Sequence, residues 1–210
     1  MTSAPAARIP QEERTRAMRR RLMDATVELL VERGWSGTST TLVSRRAGVS
    51  RGAQLHHFPT KNDLVVAAVE HLSEVRGAEL ARAAAKLPRG GRRTRAVLDM
   101  LADHFTSPVF TAALELWVAA RTDPALQAAV APLEQRIGRD VHRRTVELLG
   151  VDETRPGARE MVQATLDLVR GLGLANTISD DTARRRRILD QWARVLDDAI
   201  ADRADEEEAG

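Results

Sequence analysis

The segment from Gly34 to Leu64, GWSGTSTTLVSRRAGVSRGAQLHHFPTKNDL, decides how this chain is read. Two short helix-forming stretches flank Ala47-Gly48-Val49-Ser50, and each residue around the break has a physical task. Ser39 is placed to cap the first stretch, whose Thr40, Val43 and Ala47 fall on one face at i, i+3 and i+7. Gly48 supplies the positive φ of a tight turn, Val49 plugs a small core, and Ser50 caps the next stretch. The pattern is helix, tight turn, helix. The second helix offers Arg51, Gln54, Leu55, His56 and His57, so its N-terminal half can present a guanidinium and neighbouring groups to base edges in a major groove.

Outward from this segment, apolar residues recur at helical spacing almost everywhere, and no alternating run is long enough for a strand. The spacing predicts an all-α protein of about nine helices. The first runs over 11–33, with Met18, Leu22, Ala25, Leu29 and Leu30 on one face, and Gly34 stops it. Helices follow at about 40–47, 51–58 and 61–87, then, past Leu87-Pro88-Arg89-Gly90-Gly91, at about 92–105, 108–122, 125–149, 156–175 and 181–203. Three parts result: residues 1–62 as a three-helix helix-turn-helix domain with a short flexible N-terminal arm, 63–204 as a larger helical domain, and 205–210 as a disordered acidic tail.

Charge divides along the same line. Residues 1–62 hold 11 Lys+Arg against 5 Asp+Glu, and the remainder 21 against 25. A basic head on a mildly acidic body is expected where one end meets a polyanion. The absence of cysteine excludes disulfides, thiolate nucleophiles and zinc-finger ligand sets. No run of eighteen apolar residues occurs and the start MTSAPAARIPQEER lacks an apolar signal core, so a cytoplasmic protein away from membranes is expected.

Residues Ala47-Gly48-Val49-Ser50, Gly52, His57-Phe58, Thr60-Lys61 and Leu64 resemble the TetR family of regulators, over about residues 15–65. Where that family commonly has Leu-Tyr, this chain has Gln54-Leu55, and the usual inward valine of the preceding helix is Thr40, which leaves open which of 54 and 55 points inward. The resemblance implies base contacts at Arg51, Gly52 and Leu55 and phosphate contacts at Thr40, His56, His57 and Lys61, one of two lysines in the chain. With the caps Ser39 and Ser50, and with Thr41 and Gln54, these make the candidate DNA-binding set.

Past residue 65 the resemblance rests on length, helix number and the stretch Glu115-Leu116-Trp117 to Asp123-Pro124. It implies a ligand cavity around Met100, Phe105, Phe110, Leu114 and Trp117, with His104, Thr111, Gln163 and Thr165 as polar candidates. The last two helices carry broad apolar stripes: Val162, Leu166 and Val169 on one, Ile188, Leu189, Trp192, Val195, Leu196 and Ala199 on the other. Such width predicts pairing with a symmetry mate, with Trp192 as anchor. Asp99, Asp103 and His104 share a helix, but no further ligand is nameable; solvated carboxylates, no metal and no cofactor are expected. No catalytic motif appears, so an enzyme is not expected.

The expected function is a ligand-responsive regulator, a homodimer on a palindromic double-stranded DNA operator, acting as a repressor that a small-molecule effector releases. Two alternatives stand beside it. One is a helical enzyme or ligand carrier that keeps the helix-turn-helix as a packing element; the other is a ligand-blind DNA-binding dimer.

Overall fold

The computed structural model of the protein describes residues 11–88, 90 and 92–208, the last nine of them as backbone only. Among these residues the chain forms nine helices and no strand: α1 (Gln11–Gly37), α2 (Thr40–Ala47), α3 (Arg51–His57), α4 (Lys61–Ala84), α5 (Arg93–Phe105), α6 (Pro108–Ala120), α7 (Pro124–Leu149), α8 (Ala158–Ala175) and α9 (Thr182–Glu208). Short polar side chains start several of them. Ser107 Oγ accepts from Phe110 N–H at 3.4 Å to open α6, and Asp123 Oδ1 accepts from Leu126 N–H at 3.0 Å to open α7. No described helix is long and apolar enough to cross a membrane.

The N-terminal arm expected before Gln11 lies outside the described residues. At the other end α9 continues through Glu208. Once a helix is nucleated, each added residue costs little, and alanine and glutamate propagate it well. Residues 209 and 210 are outside the described set.

The chain divides into two compact units, and their boundary differs from the expected 62/63. One unit holds the residues up to Leu72 together with Glu115–Val130; the other holds Ser73–Leu114 and the residues from Ala131 onward. The shift follows from α4 being one unbroken helix whose Leu64 is fully buried in the first unit's core. That core joins Leu22, Ala25 and Leu29 of α1 to Val43 of α2, to Phe58 and to Leu64, with Met18, Ala47 and Val49 packed at its edge. Each large apolar side chain buried there contributes about 1.5–3 kcal/mol.

In the second unit α5 packs against α8 and α9. Val97, Leu98, Leu101 and Phe105 of α5 are buried, as are Val162, Leu166, Val169 and Leu172 of α8 and Leu189, Ala193 and Leu196 of α9. Gly173 permits the closest approach: a Cβ there would lie 2.2 Å from the Phe105 carbonyl oxygen. This packing corrects the expected dimer set. Val162, Leu166, Val169, Leu189 and Leu196 are each at most 6% exposed within the single chain, so they have no surface left to offer a partner. The wide stripes exist because α8 and α9 both cover α5. Ile188, Trp192, Val195 and Ala199 remain half-buried, and Trp192 Nε1 donates to Thr165 Oγ1 at 3.0 Å.

Candidate nucleic-acid interface

The turn between α2 and α3 is built as its residues dictate. Ser39, in extended backbone, accepts from Leu42 N–H at 3.3 Å, and Ser50 accepts from Ala53 N–H at 3.2 Å. Each satisfies one of the N–H groups that a helix start leaves without a partner. Gly48 adopts φ 60° and ψ 40°, and the following Val49 N–H returns to the Ser44 carbonyl at 2.9 Å.

Arginines of α1 and α2 do much of the holding. Arg21 of α1 donates through Nε (3.0 Å) and Nη2 (2.7 Å) to the Ala47 carbonyl and through Nη2 to the Gly48 carbonyl at 2.8 Å. Arg19 lies 4.5 Å from the centre of the Phe58 ring. Arg46 of α2 is paired with Glu32 through both Nη atoms, at 2.9 and 2.7 Å, and with Glu28 at 3.0 Å, and the first of these contacts draws the Glu32 carboxyl below its ordinary range. A sequence cannot reveal these contacts, because each joins residues 14 to 39 positions apart.

What remains exposed forms the candidate surface. Arg51, Gly52, Leu55 and His56 follow i, i+1, i+4, i+5 along α3 and are all exposed, Leu55 by 42%. Space around Gly52 is open, with no heavy atom within 4 Å of a would-be Cβ. Arg51 Nη1 donates to Thr41 Oγ1 at 3.2 Å, which brings the exposed start of α2 beside the start of α3. Ser39 and Ser50 are exposed next to this pair, and Thr40 is half-buried. His57 is half-buried, and burial, His56 and Arg19 all lower its pKa.

Two expected DNA contacts are placed otherwise. Gln54 is fully buried: its Nε2 donates to the Phe58 carbonyl at 2.7 Å, while Oε1 has no partner. Gln54 therefore points inward and Leu55, 42% exposed, outward. Lys61 turns toward Trp35, its Nζ donating to the Trp35 carbonyl at 2.6 Å and lying 3.7 Å from the centre of the indole. Burial lowers its pKa.

The expected ligand residues separate into groups. His104, Phe105 and Phe110 form an edge-to-face row with centroid distances of 5.1 and 5.2 Å, and Arg170 lies over Phe105 at 5.5 Å. Burial, then the charge of Arg76, pushes the His104 pKa down. Met100, Thr111, Leu114 and Trp117 are half-buried. Gln163 is exposed, and Thr165 is buried with its hydroxyl engaged by the Met161 carbonyl and Trp192, so neither is free to orient a ligand inside the unit. A surface cleft of about 440 Å³ lies elsewhere, beside the helix-turn-helix, lined by Arg19, His57, Phe58, Asn62, Val66 and Ala129 among others.

This geometry agrees with what the chain is similar to. The model of the family "Bacterial regulatory proteins, tetR family" matches residues 22–68. The HTH-type transcriptional regulator CymR of Pseudomonas putida is 33% identical over 197 residues, 91% of this chain and 95% of CymR. The crystal structure of a transcriptional regulator from Rhodococcus sp. Rha1 has a TM-score of 0.67 at 26% identity, covering 85% of this chain and 95% of that one. The multidrug binding protein EbrR, solved complexed with ethidium, shares the fold with a TM-score of 0.59 at 22% identity, covering 83% and 98%. Capped helix-turn-helix and near full-length similarity together mean that this chain belongs to the tetR family of bacterial regulatory proteins and is a DNA-binding transcriptional regulator.

Proposed function

We propose that this regulator binds a pseudo-palindromic operator as a cytoplasmic homodimer, acts as a repressor without catalytic activity, and leaves the operator when a small molecule enters the unit built on α5, α8 and α9. The observation that carries the DNA half is the bare face of α3, where Arg51, Gly52, Leu55 and His56 stand exposed at the end of a positively charged head. Arg51 suits a guanine edge, Leu55 a thymine methyl, and Gly52 lets the backbone come close. Ser39, Thr40, Thr41, Ser50 and His57 are placed for phosphates on either side.

Two such faces must lie roughly 35 Å apart to enter successive major grooves. On α8, Ala164, Leu168, Gly171 and Ala175 follow i, i+4, i+7, i+11 on a face turned away from the core stripe. Nothing lies within 4 Å of a would-be Cβ at Gly171, so a partner helix can approach closely there. With Ile188, Trp192, Val195 and Ala199 of α9, this face is our dimer surface.

Effector binding is assigned to the surroundings of His104, Phe105 and Phe110, with Met100, Thr111 and Leu114 beside them in sequence. The row offers apolar area and one half-buried imidazole whose pKa burial lowers, a combination that suits an apolar ligand carrying a hydrogen-bonding group. That a protein of the same fold is complexed with ethidium supports a ligand-binding role. The coupling required is modest, because a hundredfold loss of operator affinity corresponds to about 2.7 kcal/mol of differential binding.

The test is selection of duplexes from a random-sequence library, followed by a screen for small molecules that release the selected duplex. A two-fold symmetric consensus and at least one releasing compound are expected. Absence of any selected sequence would overturn the DNA half, and a duplex that no compound class releases would favour the ligand-blind alternative.

A further inference from the structure

The kink that ends the straight part of α1 is held from outside by two side chains. Gly34 takes φ 65° and ψ −176°, which lifts the Trp35 N–H off the helical ladder. That N–H donates to Glu115 Oε2 of α6 at 3.0 Å, across 80 positions of sequence. The Trp35 carbonyl accepts from Lys61 Nζ, at the start of α4. One residue immediately before the helix-turn-helix is thus gripped by a carboxylate on one face of its backbone and an ammonium on the other. The fit at Gly34 is close: a Cβ there would stand 2.5 Å from Glu115 Oε2, so a side chain at this position would push the carboxylate aside.

We infer that Glu115 is a positioning residue through which α6 communicates with the DNA-reading head. Resting on the regulator reading above, this assigns the coupling a specific route. α6 carries Phe110 and Thr111 little more than one turn before Glu115 and Leu114 directly before it, so anything that displaces this helix moves the acceptor of the Trp35 N–H. The kink then loses one of its two external restraints, and α2, beginning at Thr40, loses its fixed origin. Linkage requires the reverse as well: DNA that fixes the head must steady α6.

That reciprocity gives a test needing no effector. The probe is a duplex selected by the wild-type protein from a random library, and the readout is amide hydrogen exchange of peptides covering 34–38 and 108–120, with and without that duplex. In the wild type the duplex should slow exchange in both, by about fivefold or more in 108–120, the lower end of a typical coupling. Glu115→Ala should retain slowing at 34–38 and lose it at 108–120. Glu115→Gln keeps an acceptor oxygen at the same reach and should behave as wild type, whereas Gly34→Ala, which forces the carboxylate away, should behave as Glu115→Ala. Exchange in 108–120 that ignores DNA in the wild type, or a DNA effect that survives Glu115→Ala, would overturn the route while leaving the regulator reading intact. Failure of the wild type to select any duplex would overturn both.

Discussion

Gln54 and Phe58 are joined inside the helix-turn-helix, the Gln54 amide donating to the Phe58 carbonyl at 2.7 Å from a fully buried position. Its other end, Oε1, is buried without a partner. Removing the amide strips the buried Phe58 carbonyl of this donor at a cost of about 1–3 kcal/mol, which offsets the similar gain from removing a desolvated unpaired acceptor. Gln54→Leu should therefore change the stability of the head by no more than about 1 kcal/mol in thermal melts and leave operator affinity unchanged. Lost affinity at equal stability would mean that Gln54 reaches DNA after all.

Local rules made most of this fold legible. Ser39, Gly48 and Ser50 each act as their chemistry requires, and Gly34, Pro108 and Gly150 stand at the ends of helical segments because the backbone or ring demands it. What stayed hidden depends on distant partners. Arg21 closes over Ala47 and Gly48, 26 and 27 positions away, and nothing in its local sequence marks it for that. Nothing near Trp35 announces that Glu115 will reach it. The stripes of α8 and α9 do not say what covers them, since a Val162 buried within its own chain and one buried by a second copy leave the same periodicity.

Lys61 offers a direct contest between resemblance and geometry. A lysine on a phosphate releases counterions, so removing it should lower the salt slope of DNA binding by about 0.9. A lysine that holds the Trp35 carbonyl acts through the position of the head instead. Lys61→Met should weaken binding on all sequences with the slope unchanged, as measured by titrations at several salt concentrations. A slope reduced by about one unit would restore the phosphate role.

Arg51 should behave differently. With its guanidinium exposed at the first turn of α3 and resting on Thr41, it is free to swing to a base. Arg51→Ala should cost about 1–3 kcal/mol on the selected duplex and little on a scrambled one. Equal losses on both would make it a backbone contact.

Burial of His104 has a consequence for acid stability. Its folded pKa lies below the ordinary 6.5, so between those values the unfolded chain binds more protons and stability rises with pH. The contribution is complete above about pH 6.5 and is lost as pH falls toward the depressed value. His104→Leu should flatten the stability profile below pH 6.5 in denaturant titrations. An unchanged slope would place the acid sensitivity at another group, His57 being next because burial lowers it too.

Leu168 is the residue that tests the proposed dimer face against the core. In a two-fold interface a residue near the axis meets its own copy, so Leu168→Glu would set two carboxylates against each other in a desolvated patch. The mutant should sediment as a monomer while keeping the helical signal and thermal stability of a folded chain, because Leu168 is only half-buried within its own unit. Operator affinity should fall by about 10²–10⁴, since the second half-site is no longer tethered to the first. Val162→Ala is the matched control: fully buried against α5, it should cost about 1–3 kcal/mol of stability and leave the dimer intact. A Leu168→Glu protein that remains dimeric would move the interface off this face of α8, and a Val162→Ala protein that dissociates would return the core stripe to the partner.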